Sequence, residues 1–287
     1  MPIKTILLPL RESDMSEHLL ESAMLLAKQH GAHLDVFYVN PTPGDMLPYA
    51  TLGLTRKMRE MVQESATQAS RDQASRLKEL FHAVRERHGL AERTRHGFTG
   101  EAAADWSEAE GVRSLEVASR GRLVDLMVTP RPERADPPPK TFEAILRDTG
   151  RPVIMIPRGG AAGAITGHVV IGWNGSTEAA SALAAARPVL REASGVSVLV
   201  SAKRKDHRPH GEDVADYLRC HGVAAESRVV DMGGKDVGAC ILEQCRELDA
   251  QLLVVGSYSR TRVQEMLLGG VTRYLIREAR LPVFMVH

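Results

Sequence analysis

Cysteine is scarce in this chain: three of 287 residues, Cys220, Cys240 and Cys245, with no C-x-x-C spacing. Cys240 and Cys245 stand five apart in a helical stretch, which does not put them on one helix face. A disulfide framework and a tandem-cysteine metal site are therefore not expected, and reduced thiols in a cytoplasmic protein are. Aromatic residues make up only 4% of the chain, so Leu, Val, Ile, Ala and Met must build the core. No charge sign dominates; the net charge is +1. That balance argues against a polyanion-binding surface, and no nucleic-acid partner is expected. No run of 18 apolar residues exists, so no membrane span is expected. Met1-Pro2-Ile3-Lys4 enters a strand pattern directly, without the apolar region and cleavage site of a signal peptide. G-x-S-x-G and HExxH motifs are missing as well.

What the chain does have is an internal repeat. Arg151-Pro152-Val153-Ile154-Met155-Ile156-Pro157 closes the first half, and Leu281-Pro282-Val283-Phe284-Met285-Val286-His287 closes the second. Thr5 to Ser13 lines up with His168 to Ser176, and Asp125 to Pro130 with Gln251 to Gly256. Agreements in the same order imply a duplicated α/β domain, with halves at 1–158 and 168–287 and a Gly/Ala-rich linker over Arg158–Gly167. In the first half the patterning predicts strands at Thr5–Leu10, Leu34–Val39, Arg93–Gly97, Leu123–Thr129 and Val153–Ile156. Helices are predicted at Ser16–His30, Leu54–His88, Ser107–Arg120 and Thr141–Asp148. In the second half strands are expected at Val169–Trp173, Val196–Ala202, Ser227–Val230, Leu252–Val255 and Val283–Val286. Helices are expected at Thr177–Arg191, Glu212–His221, Asp236–Glu247 and Val271–Glu278. Near-continuous apolar strands alternating with helices point to a doubly wound parallel sheet in each half. The acidic stretch around Trp106 reads as a solvated helix entry.

Ligands of such sheets sit at the carboxyl ends of the strands, where strand order reverses. Two second-half loops belong there: Asn174-Gly175-Ser176, and the segment from Gly256 through Ser259 and Arg260 to Gly269, Gly270, Val271 and Thr272. Glycines and hydroxyls before a helix offer free N–H groups and a favourable dipole to phosphate. The alternative is that they are ordinary turns and caps. The chain here resembles the universal stress protein family in its tandem form, over essentially its whole length. Family members carry G-x2-G-x9-G-(S/T) between the fourth strand and the last helix; this sequence has Gly256-x2-Ser259-x9-Gly269-Gly270. The spacing is kept and two of the four signature positions differ. The family's aspartate after the first strand falls on Asn174. The resemblance implies adenine-nucleotide alpha-hydrolase-like domains, ATP or ADP bound by the second half, Mg²⁺ only with a bound triphosphate, and at most slow ATP hydrolysis. It also implies action through a protein partner, and two halves packed as an internal pseudo-dimer through their closing strands. A further homodimer is left open.

The first half departs further. Arg11 stands where Asn174 does, and Glu12 where Gly175 does. Its fourth-strand loop, Pro130 to Lys140, has five prolines and no glycine. Proline has no N–H, and without glycine the backbone cannot approach a phosphate closely, so nucleotide binding is not expected here. Arg11 and Arg131 are candidates for another anion or for contact with the partner half. Gly233-Gly234-Lys235-Asp236 lacks the upstream glycine and the Ser or Thr of a Walker A motif, and reads as a turn into a helix. His207 and His210 read as solvated rather than as metal ligands. Two readings of function remain: a nucleotide-responsive stress protein, and an interaction module whose nucleotide site has decayed. An adenylating enzyme is the weakest of the alternatives, for want of a phosphate loop and a substrate pocket.

Overall fold

The computed structural model describes residues 2–41, 55–133, 138–159, 163–202, 209–231, 233–234, 236–257 and 270–287. The first half runs β1 (Thr5–Pro9), α1 (Ser16–His30), β2 (His33–Asn40), α2 (Arg56–Arg87), β3 (Ala91–Glu92), β4 (Ala103–Glu110), α3 (Arg113–Gly121), β5 (Leu126–Pro130), α4 (Lys140–Asp148) and β6 (Val153–Ile156). The second runs β7 (His168–Trp173), α5 (Thr177–Leu190), β8 (Gly195–Ser201), α6 (Gly211–Cys220), β9 (Ala225–Val230), α7 (Val237–Glu247), β10 (Leu252–Gly256), α8 (Gly270–Glu278) and β11 (Val283–Val286). The main difference in length is α2, with 32 residues against 10 in α6.

Among the described residues all the strands join one 11-stranded sheet, ordered β3-β4-β2-β1-β5-β6-β11-β10-β7-β8-β9. Within each half the pairings are parallel; β1 lies between β2 and β5, and β7 between β8 and β10. The halves meet through an antiparallel β6–β11 pair, with Val283 opposite Met155, Phe284 opposite Ile154 and Met285 opposite Val153. The expected pseudo-dimer is therefore a sheet continuous through both closing strands. Side chains alternate across it. Ile154, Ile156, Phe284 and Val286 enter the core on one face; Val153, Met155, Val283 and Met285 enter the core on the other. Each core thus contains residues of both halves.

Local chemistry explains the elements. In α1, Leu19, Leu20, Ala23, Met24, Leu26 and Ala27 are buried at helical spacing. The helix ends at Gly31 in the left-handed region (φ +53°), and the Ala32 N–H reaches the Ala27 carbonyl at 2.9 Å. The Asp125 carboxylate accepts from the N–H groups of Lys4 at 2.9 Å and Thr5 at 3.0 Å, fixing the entry to β1. Its repeat counterpart Gln251 accepts from the Gly167 N–H at 2.8 Å, before β7. At the end of the linker Gln29 clamps the Ile165 N–H and carbonyl, both at 3.0 Å.

Two expectations are corrected. The helix expected over Ser107–Arg120 is a strand and a shorter helix: β4 pairs with β2 from Ala103 to Glu110, and α3 starts at Arg113. The inner residues of β4 are half-buried, and Ser107 and Trp106 have partners on β2, while Glu108 and Glu110 are exposed. Ser107 donates to Asp35, Arg120 holds Asp35 at 2.5 Å, and Trp106 stacks on Tyr38. The strand expected over Arg93–Gly97 is a 3₁₀ turn at Arg95–Gly97 after the two-residue β3. Cys240 and Cys245 are buried and Cys220 is exposed. Burial pushes the Cys245 thiol up to about 12. Among the described residues, no helix is long and apolar enough to cross a membrane.

Candidate functional site

Strand order reverses between β1 and β5 in the first half, and between β7 and β10 in the second. Because β6 and β11 run antiparallel, the two crevices open at opposite ends of the sheet.

In the second half, the turn after β7 is closed by its own side chains. The Asn174 side-chain oxygen Oδ1 accepts from the Ser176 N–H at 3.0 Å, and the Ser176 hydroxyl caps α5 by accepting from the Ala179 N–H at 3.1 Å. Gly175 between them has φ +75°, a conformation that favours glycine. Gly256 ends β10 directly against α5: a Cβ there would stand 2.4 Å from the Ala179 nitrogen. Close strand–helix packing alone therefore demands a glycine at this position. The next residue, Ser257, is buried and donates its N–H to the Val286 carbonyl at 2.7 Å. Gly270 and Val271 open α8 and Thr272 is buried in its first turn. By the strand–helix alternation this turn lies at the same end of the sheet as Asn174, Gly175, Ser176 and Gly256. Ser259, Arg260 and Gly269 lie outside the described residues. Trp173 packs beneath, donating its indole N–H to the Pro209 carbonyl at 2.9 Å. Asp236 caps α7 through the Gly238 N–H at 2.8 Å, so the Gly233-Gly234 segment turns the chain into a helix, as read; Lys235 and His207 lie outside the described residues. The His210 N–H donates to Asp213 at the start of α6.

The first-half crevice is built differently. A cavity of about 480 Å³ lies between the ends of β1 and β5 and the start of α4. Met15, Leu19 and Phe142 give it apolar walls, and Arg11, Arg113, Arg131 and Arg158 bring cations to it. Arg113 donates to the carbonyls of Pro9 and Leu10, both at 3.0 Å. Burial first, and then the neighbouring charge of Arg11, lower its pKa to about 10. Arg158 pairs with Asp14 at 2.5 Å and Glu133 at 3.1 Å. Arg131 reaches the other half, donating to the Arg277 carbonyl. Glu12 turns away from the cavity to α2, where Arg76 holds it at 2.9 and 3.0 Å and depresses its pKa.

Sequence reasoning singled out Arg11 and Arg131 and missed Arg113, Arg158 and Phe142. No signal in the sequence marked Arg113, which the helix expected over Ser107–Arg120 placed in mid-helix; the structure supplies one. Arg113 opens α3, and the helix dipole disfavours a cation at that end. A residue that breaks a local rule is one to examine for a role.

Comparison with known proteins follows the repeat. The family model described as "Universal stress protein family" matches residues 2–128 and 166–287. Its first segment stops at Val128, just short of the proline-bearing loop. A universal stress protein from Archaeoglobus fulgidus DSM 4304 superposes with TM-score 0.70 at 17% identity, over 98% of this chain and 95% of that one. A functionally unknown protein, PA1789 of Pseudomonas aeruginosa PAO1, superposes with TM-score 0.57 at 16% identity, over 99% and 92%. No curated protein matches the chain.

Proposed function

The chain belongs to the universal stress protein family, and on that footing we propose that its second half binds ATP or ADP and signals occupancy to a protein partner in the cytoplasm. The observation that carries this reading is the spacing Gly256-x2-Ser259-x9-Gly269-Gly270 between β10 and α8, beside the turn that holds Asn174. Free first-turn amides of α8 and a flexible backbone approach suit phosphate. Mg²⁺ would enter only with a triphosphate, and hydrolysis would be slow at most.

The altered positions favour weak binding. A non-glycine residue held left-handed costs about 1–2 kcal/mol, which bears on Ser259 wherever glycine's conformation is required. Gly270 offers no hydroxyl, and a hydrogen bond to a charged group contributes about 1.5–3 kcal/mol. The same changes favour the second reading, an interaction module with a decayed site. Calorimetric titration of the full chain with ATP decides between them, using wild type, Ser259→Gly, Gly270→Ser and the double variant. A Cβ at Gly270 would meet none of the described residues within 4 Å, so serine fits against them. The expected result is affinity higher by about tenfold or more in Gly270→Ser and in the double variant. Failure of all four proteins to bind would leave the interaction module.

A further inference from the structure

We propose that the first-half crevice binds a compact organic anion, its carboxylate or phosphate head gripped by Arg11 and Arg113 and its body laid on Phe142, Met15 and Leu19. The proposal goes beyond the nucleotide reading and holds whether or not the second half binds ATP.

The cations of the crevice differ in how far their charge is already answered. Arg158 is neutralised by Asp14 and Glu133. The Arg131 guanidinium donates across the seam to the Arg277 carbonyl, an uncharged acceptor that holds it toward the other half without neutralising it. Arg113 has two backbone carbonyls as acceptors, which satisfy N–H groups but bring no opposing charge. Among the described residues no carboxylate lies within ion-pair distance of Arg113 or Arg11. Arg11 and Arg113 are close enough for one to depress the pKa of the other. Two like charges on one wall repel each other, and an anion placed between them turns that repulsion into two attractions.

The ligand class follows from the wall chemistry. A guanidinium fork meets carboxylate or phosphate in a bidentate way, so both heads fit. Thr141 and Phe142, in the first turn of α4, also line the cavity. Amides of that turn have no partner within their helix and favour negative charge. A cavity of about 480 Å³ falls within the range of small-molecule sites. Pro130, Pro132 and Pro139 line it as well, and they withhold the N–H groups that a triphosphate chain would require. The head is therefore held by side chains, and the body by an apolar surface.

Calorimetry on the full chain tests this with four probes: phenyl phosphate, benzoate, benzyl alcohol and inorganic phosphate. One site per chain is expected for phenyl phosphate or benzoate, and the tighter of the two identifies the preferred head. Benzyl alcohol, which lacks the charge, and inorganic phosphate, which lacks the body, should bind at least about tenfold more weakly. Arg11→Gln should weaken the aromatic anion by about tenfold or more at an unchanged melting temperature, because the exposed Arg11 guanidinium has no side-chain partner among the described residues. Saturating ATP should not displace the probe. No binding of either aromatic anion, equal binding of benzyl alcohol, or an unaffected Arg11→Gln variant would each overturn the proposal. Displacement by ATP would do so too, by making the crevice a nucleotide site.

Discussion

Phe284→Ala is expected to remove roughly 3–5 kcal/mol of stability, the range for truncating a fully buried phenylalanine. Phe284 is 0% exposed, sits opposite Ile154 in the β6–β11 pair, and belongs to a core with members from both halves. The cavity left behind would therefore open at the seam rather than inside one half. Each half carries one tryptophan, Trp106 in β4 and Trp173 in β7. Denaturant titrations in Trp106→Phe and Trp173→Phe backgrounds report on the halves separately. The continuous sheet predicts that Phe284→Ala lowers the midpoint of both reporters together. A shift confined to Trp173, or a loss below about 1 kcal/mol, would mean that the halves fold independently or that the seam is loosely packed.

Gly256→Ala is expected to cost about 1–3 kcal/mol or more, through overpacking against backbone. The added methyl would stand 2.4 Å from the Ala179 nitrogen and 2.6 Å from the Glu178 carbonyl carbon, and neither can swing aside as a flexible side chain does. Relief requires β10 and the start of α5 to separate. Gly270→Ala provides the contrast, since a Cβ there meets none of the described residues within 4 Å and alanine favours a helix. Thermal denaturation should show a lower midpoint for Gly256→Ala and an unchanged or higher one for Gly270→Ala. Equal behaviour of the two variants would contradict the strand–helix contact. The comparison also separates two roles of Gly256, because a stability loss without ligand is a packing effect and not a nucleotide effect.

The duplication and the order of elements were legible because their signals are local. Ser16–His30 carries its apolar face and its terminal glycine in sequence, and the helix has those bounds. The seam was expected from the family resemblance, and the apolar side chains of Val153–Ile156 and Val283–Val286 agreed with it, since edge strands of that kind need cover. The segment from Ala103 to Glu110 was misread because its acidic residues match a solvated helix, whereas His33, 3.3 Å from Asp105, and Asn40, which donates to Glu108 at 2.9 Å, lie far away in the chain. The crevice of the first half was half legible for the same reason. The lack of glycine between Pro130 and Lys140 is a local fact, and it is the ground for expecting no backbone nest there. That Arg113 and Phe142 converge with Arg11 is a consequence of the fold, with about a hundred residues between the two arginines. The segment holding Ser259, Arg260 and Gly269 lies outside the described residues, so its part in the second crevice rests on spacing.

The central claim is that duplication has left two different crevices, with nucleotide confined to the second half. Hydrogen–deuterium exchange of the full chain, with and without saturating Mg·ATP, tests it most directly. Protection is predicted in peptides covering Asn174–Ser176 and Gly256–Thr272, with exchange in peptides covering Pro9–Met15 and Thr129–Phe142 unchanged. Protection of the first-half peptides by ATP, alone or together with the second-half ones, would contradict the claim.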